Sequence, residues 1–185
     1  MIDITDRVLN AELRGKITTA EEAALHIEPN MNVGTSGFTP SGYPKAVPVA
    51  LAERMKKEPF KINLWTGASV GPELDAVLAS VDGVNFRMPY QTNSEMRNAI
   101  NANKVQYQDL HLSEAAQLTR YGYIGGGTLD VAIVEACMIT KEGYIVPTTS
   151  LGNTASYVKQ AKKVIVEVNT TQPVEFFGMH DVYVP

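Results

Sequence analysis

From Met31 to Val168 the chain repeats one pattern: a short apolar run, a turn rich in small residues, then a stretch with apolar positions every three or four residues. The runs lie at 31–35, 61–66, 84–88, 104–110, 129–136 and 164–168, with a shorter piece at 144–147 that reads as an extension or hairpin partner. Between them, Val47, Leu51 and Met55 form one helical stripe, and Leu74, Val77, Leu78 and Val81 another. Strands that alternate with helices demand crossover connections, and crossovers of this kind build a parallel sheet. The expected fold is therefore α/β, an open and mostly parallel sheet with helices on both faces. The run at 129–136 is the most continuously apolar, which points to a central, buried strand.

Other elements follow from local chemistry. Residues 6–15 read as a short helix with Val8, Leu9 and Leu13 on one side. Thr18 with Glu21, or Thr19 with Glu22, matches a capping box ahead of the helix that carries Ala23, Ala24 and Leu25. Ser94 is placed to cap a helix over 95–103, and further helices are expected at 113–120 and 154–160. The stretch after Asn169 loses the periodicity. It is expected to begin a connection (171–185) from the domain 1–170 to a second domain, as in a piece of something longer.

The turn after the first strand is the richest in chemistry: Gly34-Thr35-Ser36-Gly37-Phe38-Thr39-Pro40-Ser41-Gly42. Glycines let the backbone turn sharply and let a ligand come close to the main chain. The hydroxyls supply donors and acceptors, and a following helix start favours an anion. An ordinary βα loop with many glycines fits the spacing equally well. In an open parallel sheet, ligands lie outside the carboxyl ends of the strands. Hydroxyl and amide side chains recur at those ends, at Thr35, Ser36, Ser69, Thr92, Asn93, Ser150 and Asn153, whereas basic residues are scarce. A small carboxylate or acyl group held by neutral donors suits such a rim better than a polyphosphate.

Several function classes lack their signatures. The phosphate-loop and dinucleotide fingerprints are absent, as are G-x-S-x-G and H-E-x-x-H. A net charge of -4 without a basic block argues against nucleic acid or an anionic membrane as partner. A single cysteine, Cys137, excludes an internal disulfide framework and a thiolate metal cluster, fits a reducing cytoplasm, and reads as packing. His26, His111 and His180 are far apart and read as structural or capping residues. Glu135 and Glu167 each follow apolar strand residues. For Glu167 a strand-end charge in water is the favoured reading; for Glu135 that reading and a buried functional carboxylate stand close.

Five stretches, taken together and in order, resemble the acetyl-CoA hydrolase/transferase family of class I CoA-transferases. They are residues 34–39 with Gly42-Tyr43-Pro44-Lys45; Thr66-Gly67-Ala68-Ser69; Arg87 through Asn93; Val134-Glu135-Ala136 with residues 147–153; and residues 165–169 leading to Gly178-Met179-His180-Asp181. The likeness is to the N-terminal half of such enzymes, which include succinyl-CoA:acetate and 4-hydroxybutyrate CoA-transferases. It implies two similar α/β domains with the active site between them, a coenzyme A thioester as substrate, no separate cofactor, and a homo-oligomer. The attacking glutamate, which forms an anhydride and then a glutamyl thioester, belongs to the half not represented here. No catalytic or metal-binding residue is therefore assigned to this chain.

The resemblance gives this half one wall of a carboxylate/acyl pocket. Ser69 and Thr92 match polar contacts to the carboxylic acid, beside a glycine loop that Pro40 is expected to stiffen. The candidate substrate contacts are Gly34, Thr35, Ser36, Gly37, Ser69, Thr92, Glu135 and Asn153. The expected partners are acyl-CoA, small carboxylic acids and the C-terminal half of the same enzyme, and no turnover is expected from this chain alone. A non-catalytic domain that binds small carboxylates or acyl-CoA is the alternative reading, and a separate subunit completed by a partner chain is a third. As a fragment, the chain should expose apolar surface on its cut face.

Overall fold

A computed structural model of the 185-residue chain describes residues 3–182, 184 and 185. Among the described residues seven strands form one sheet: β1 (Asn32–Thr35), β2 (Ile62–Trp65), β3 (Val84–Met88), β4 (Gln106–Tyr107), β5 (Leu129–Ile139), β6 (Ile145–Pro147) and β7 (Ala161–Val168). The order is β4-β3-β2-β1-β5-β6, with β7 also on β5. All pairings are parallel except β5 with β6, which are antiparallel. The helices are α1 (Ala11–Arg14), α2 (Ala20–Ala24), α3 (Ala46–Lys57), α4 (Asp75–Ser80), α5 (Ser94–Asn101), α6 (Leu112–Arg120) and α7 (Thr154–Gln160). The expected fold class is the one observed.

Helices cover both faces, and the pleat decides which residues go where. On one face Val33, Leu64, Val131, Ile133 and Ile165 meet Leu51, Met55, Leu74, Leu78 and Met96 from α3 to α5 and their approaches. On the other, Leu129, Ala132, Trp65 and Met88 pack on Tyr157 of α7, with Leu118 of α6 beside them. β5 is buried along almost its whole length and continues three residues past the expected end, to Ile139. Its last turn of sequence is held by β6 and by the N-terminal segment, where the Leu9 N–H donates to the Ile139 carbonyl at 2.9 Å.

That contact explains why residues 6–15 are not one helix. Arg7 is drawn into the interior, where its guanidinium donates to the carbonyls of Cys137 (3.2 Å), Gln172 (2.8 Å) and Thr170 (3.0 Å). Val8 is buried against β5, and a new helix begins only after Asn10, whose side chain accepts from the N–H groups of Glu12 and Leu13. The expected strand at 104–110 shrinks to Gln106–Tyr107, an edge with sheet on one side only. The cap of α5 is Asn93, one residue before the expected Ser94. The capping box at α2 forms as expected, with Thr19 accepting from the Glu22 N–H.

Two buried phenols give the fold an alkaline limit. Burial pushes the Tyr157 hydroxyl well above the ordinary phenol range. Burial, together with the hydrogen bond to Glu73, does the same for Tyr43. The folded chain thus keeps two protons that the unfolded chain releases above about pH 10. Stability should fall as pH rises past that point, by up to about 1.4 kcal/mol per pH unit for each tyrosine. Urea unfolding compared at about pH 8 and 11 should show the loss, and Tyr157→Phe should flatten it. An unchanged slope in that variant would count against the assignment.

Candidate active-site wall

β1, β2 and β3 run parallel and side by side, so their carboxyl ends open on one rim. At the end of β1, Thr35 and Ser36 are fully buried. The Ser36 hydroxyl accepts the Asn153 N–H at 2.8 Å, which ties this end to the loop after β6. Asn153 in turn donates its side-chain amide to the Thr66 carbonyl at 3.2 Å, and Tyr157 donates to the same carbonyl. The approach is so close that side chains are excluded. At Gly152 (φ +52°) an added Cβ would lie 2.6 Å from the Gly37 carbonyl oxygen, and at Gly37 it would lie 2.6 Å from that of Ser41.

The turn over residues 37–42 is sewn to the loop over 148–153. Ser150 donates to the Ser41 carbonyl at 2.6 Å, and the Ser41 and Thr149 hydroxyls share a 2.5 Å hydrogen bond. His180 adds a contact from its Nε2 to the Thr148 carbonyl at 2.8 Å. A second tie joins the ends of β2 and β3. The Ser69 and Thr92 hydroxyls lie 2.6 Å apart, and Ser69 also accepts the Thr92 N–H at 3.1 Å. Ser69 is buried and Thr92 is exposed, so the pair presents one fixed hydroxyl to the rim. Thr35 Oγ1 and Gln91 Oε1 are buried and have no hydrogen-bond partner among the described residues.

The structure therefore gathers Ser36, Gly37, Ser69, Thr92 and Asn153 about one rim, with the unpartnered Thr35 at the end of the same strand. Gly34 sits differently. It lies inside β1, where a Cβ would come within 2.9 Å of Leu129 and 3.0 Å of the Tyr157 ring, so packing alone requires glycine there.

Glu135 is buried, and both its oxygens are engaged. Oε1 accepts from Lys45 Nζ at 2.9 Å and from Asn169 Nδ2 at 3.0 Å, and Oε2 accepts from the Thr148 hydroxyl at 2.5 Å. Its neighbour across the parallel pairing is Glu167. Glu167 is not a charge left to water, as favoured from sequence. Its carboxylate accepts the N–H groups of Lys45 (2.7 Å) and Val47 (3.0 Å), capping the first turn of α3 from another strand. Nothing local announces that role, because 120 residues separate Glu167 from Val47. Nearby, the Tyr43 hydroxyl donates to Glu73 and holds that carboxyl below its ordinary range. Cys137 is buried, and burial pushes its thiol up. Among the described residues no group of three His, Cys, Asp or Glu side chains is placed to hold a metal ion.

Compared with known families, residues 1–185 match the model described as the acetyl-CoA hydrolase/transferase N-terminal domain. The chain belongs to that family. This acetyl-CoA hydrolase/transferase N-terminal domain is 49% identical to succinyl-CoA:acetate CoA-transferase of Clostridium kluyveri, over 96% of the chain and 33% of that protein. It is 42% identical to propanoyl-CoA:succinate CoA transferase of Escherichia coli, over 90% of the chain and 35% of that protein. Against acetyl-CoA hydrolase of Kluyveromyces lactis the identity is 37%, over 98% and 36%. The domain thus spans about a third of the length of these relatives.

Among solved structures, RipA from Yersinia pestis superposes with a TM-score of 0.65 at 17% identity, over 92% of the domain and 38% of RipA. Glutaconate coenzyme A-transferase from Acidaminococcus fermentans gives 0.60 at 15%, over 82% and 68%. At such identities the likeness establishes a shared fold.

Proposed function

We propose that this chain is the N-terminal domain of an acyl-CoA:carboxylate CoA-transferase or acetyl-CoA hydrolase, and that it forms one wall of the carboxylate/acyl pocket. The observation that carries this reading is the Ser69–Thr92 pair. Ser69 accepts the Thr92 N–H and can donate to Thr92 Oγ1, which leaves the exposed Thr92 hydroxyl hydrogen free to point outward. A donor already fixed by a buried neighbour orients a carboxylate at little entropic cost. Ser36, Gly37 and Asn153 shape the adjoining rim, and the unpartnered Thr35 hydroxyl sits at its edge. Glu135, also a candidate contact from sequence, acts here by holding that rim together.

The attacking carboxylate comes from the remaining two thirds of the protein, where it forms the acyl anhydride and the glutamyl thioester. The full occupation of Glu135 and Glu167 by donors of this chain supports that division of roles. Exposed apolar side chains of the 37–42 turn and the 174–180 segment, Phe38 (58%), Phe177 (64%) and Met179 (71%), suit a surface that the C-terminal part covers. Acyl-CoA and a small carboxylic acid are its substrates, and a cytoplasmic homo-oligomer is the working form.

In the full-length enzyme, Thr92→Val should lower kcat/KM for the carboxylate roughly 30-fold, the equivalent of about 2 kcal/mol for a hydrogen bond to a charged group. KM for the acyl-CoA should change little. An equal loss with both substrates, or no loss, would overturn the assignment. The isolated 185-residue chain should show no CoA release or transfer.

A further inference from the structure

One buried side chain links the loops that follow β1 and β2. Tyr43 comes directly after the glycine turn and shares an apolar cluster with Val70 and Leu74. Its root packs on the turn, where a Cβ added at Gly37 would lie 3.0 Å from that of Tyr43. Its tip reaches the loop after β2. There a Cβ at Gly71 would collide with the Tyr43 hydroxyl, and that hydroxyl donates to Glu73 Oε2. Lys45 Nζ stands 4.2 Å from the centre of the ring while donating to the Tyr43 carbonyl at 2.7 Å and to Glu135 at 2.9 Å. The phenol is therefore held at root, face and tip.

Filling the cluster asks only for a ring, which phenylalanine would supply. A buried hydroxyl, by contrast, needs a partner, and the one it takes belongs to the loop that carries Ser69. Gly71 and Glu73 follow Ser69 closely in that loop, and Ser69 in turn fixes Thr92 by two hydrogen bonds. We infer that Tyr43 is a positioning residue for the Ser69–Thr92 pair: by holding Gly71 and Glu73 against the glycine turn, it sets where the Thr92 hydroxyl meets the carboxylate substrate. The phenol oxygen itself is engaged with Glu73 and acts only through this loop. This role rests on the reading of Thr92 as a carboxylate contact.

The test is steady-state kinetics of the full-length enzyme carrying Tyr43→Phe, Glu73→Ala, Glu73→Gln, Thr92→Val, or Tyr43→Phe with Thr92→Val. Tyr43→Phe and Glu73→Ala should each lower kcat/KM for the carboxylate about 10-fold, chiefly through KM, with KM for the acyl-CoA unchanged within about twofold. Glu73→Gln keeps an acceptor for the phenol and should recover most of the loss. Once Thr92 is valine, adding Tyr43→Phe should change the carboxylate kinetics less than about twofold, because the donor it positions is gone. If Tyr43→Phe does not fold, Glu73→Ala breaks the same hydrogen bond from its half-buried end and decides the matter. A loss shared equally by both substrates, no rescue by Glu73→Gln, or a full loss in the Thr92→Val background would each overturn the inference. Impaired Thr92→Val beside normal Tyr43→Phe and Glu73→Ala removes the positioning role alone. Normal carboxylate kinetics in Thr92→Val removes the proposed contact, and this role with it.

Discussion

Replacing Asp75 by alanine is expected to cost the chain about 3–5 kcal/mol of folding stability, a large share of the 5–15 kcal/mol typical of a domain. Arg87, on β3, is fully buried and so is Asp75, at the start of α4. The guanidinium donates to both carboxylate oxygens, Nε to Oδ1 at 2.9 Å and Nη2 to Oδ2 at 2.8 Å, and Nη1 donates to the Met88 carbonyl at 2.7 Å. Alanine at 75 strands a positive charge in the interior with two unmatched donors. Urea unfolding should show a lower midpoint at unchanged slope. The double variant Asp75→Leu, Arg87→Met should recover most of the loss, because no charge is then left buried without a partner. By contrast, Lys56→Ala, which removes an exposed pair with Glu53, should cost less than 1 kcal/mol. A loss below about 1 kcal/mol for Asp75→Ala would show that water reaches Arg87.

Glu135→Leu should cost about 3 kcal/mol, with Glu135→Gln well under half of that. Leucine removes the acceptor of three donors at once. Thr148 is fully buried and has nowhere else to turn, whereas Lys45 is half exposed and regains water. Most of the cost therefore comes from Thr148 and Asn169. Glu167→Ala should cost less, about 1–2 kcal/mol, the range for losing a helix cap. In the full-length enzyme Glu135→Leu should also loosen the 148–153 loop and lower kcat/KM. A fully stable Glu135→Leu chain would show that the loop is held by the serine contacts alone.

Much of this architecture could be read from residue order. The apolar runs at 31–35, 61–66 and 129–136 become paired strands, Val84–Met88 and Thr154–Gln160 fall where expected, and Val47, Leu51 and Met55 are buried together. Local signals sufficed because each element buries a face whose period the sequence displays. Where tertiary contacts decide, local signals misled. Residues 6–15 carry a helical stripe, yet three distant carbonyls claim Arg7 and β5 claims Val8. Residues 104–110 carry a strand's composition, but an edge position supports only two of them. At the rim, residue types pointed to neutral donors and the resemblance singled out Ser69 and Thr92 one by one, while the hydrogen bonds between the two had no mark in the sequence. The pairing of Asp75 with Arg87 and the capping of α3 by Glu167 had no local mark, since an acidic residue at a helix start or strand end has an ordinary solvated explanation.

Glu135 and Glu167 stand opposite each other on adjacent strands, and both grip the few residues that follow the glycine turn. The carboxyl ends of β5 and β7 are thereby geared to the start of α3: Glu167 fixes where the helix begins, and Glu135 fixes the lysine just before it. A shift of either strand end would therefore be felt, through two short side chains, at the backbone and side chain of Lys45 and the first turn of α3.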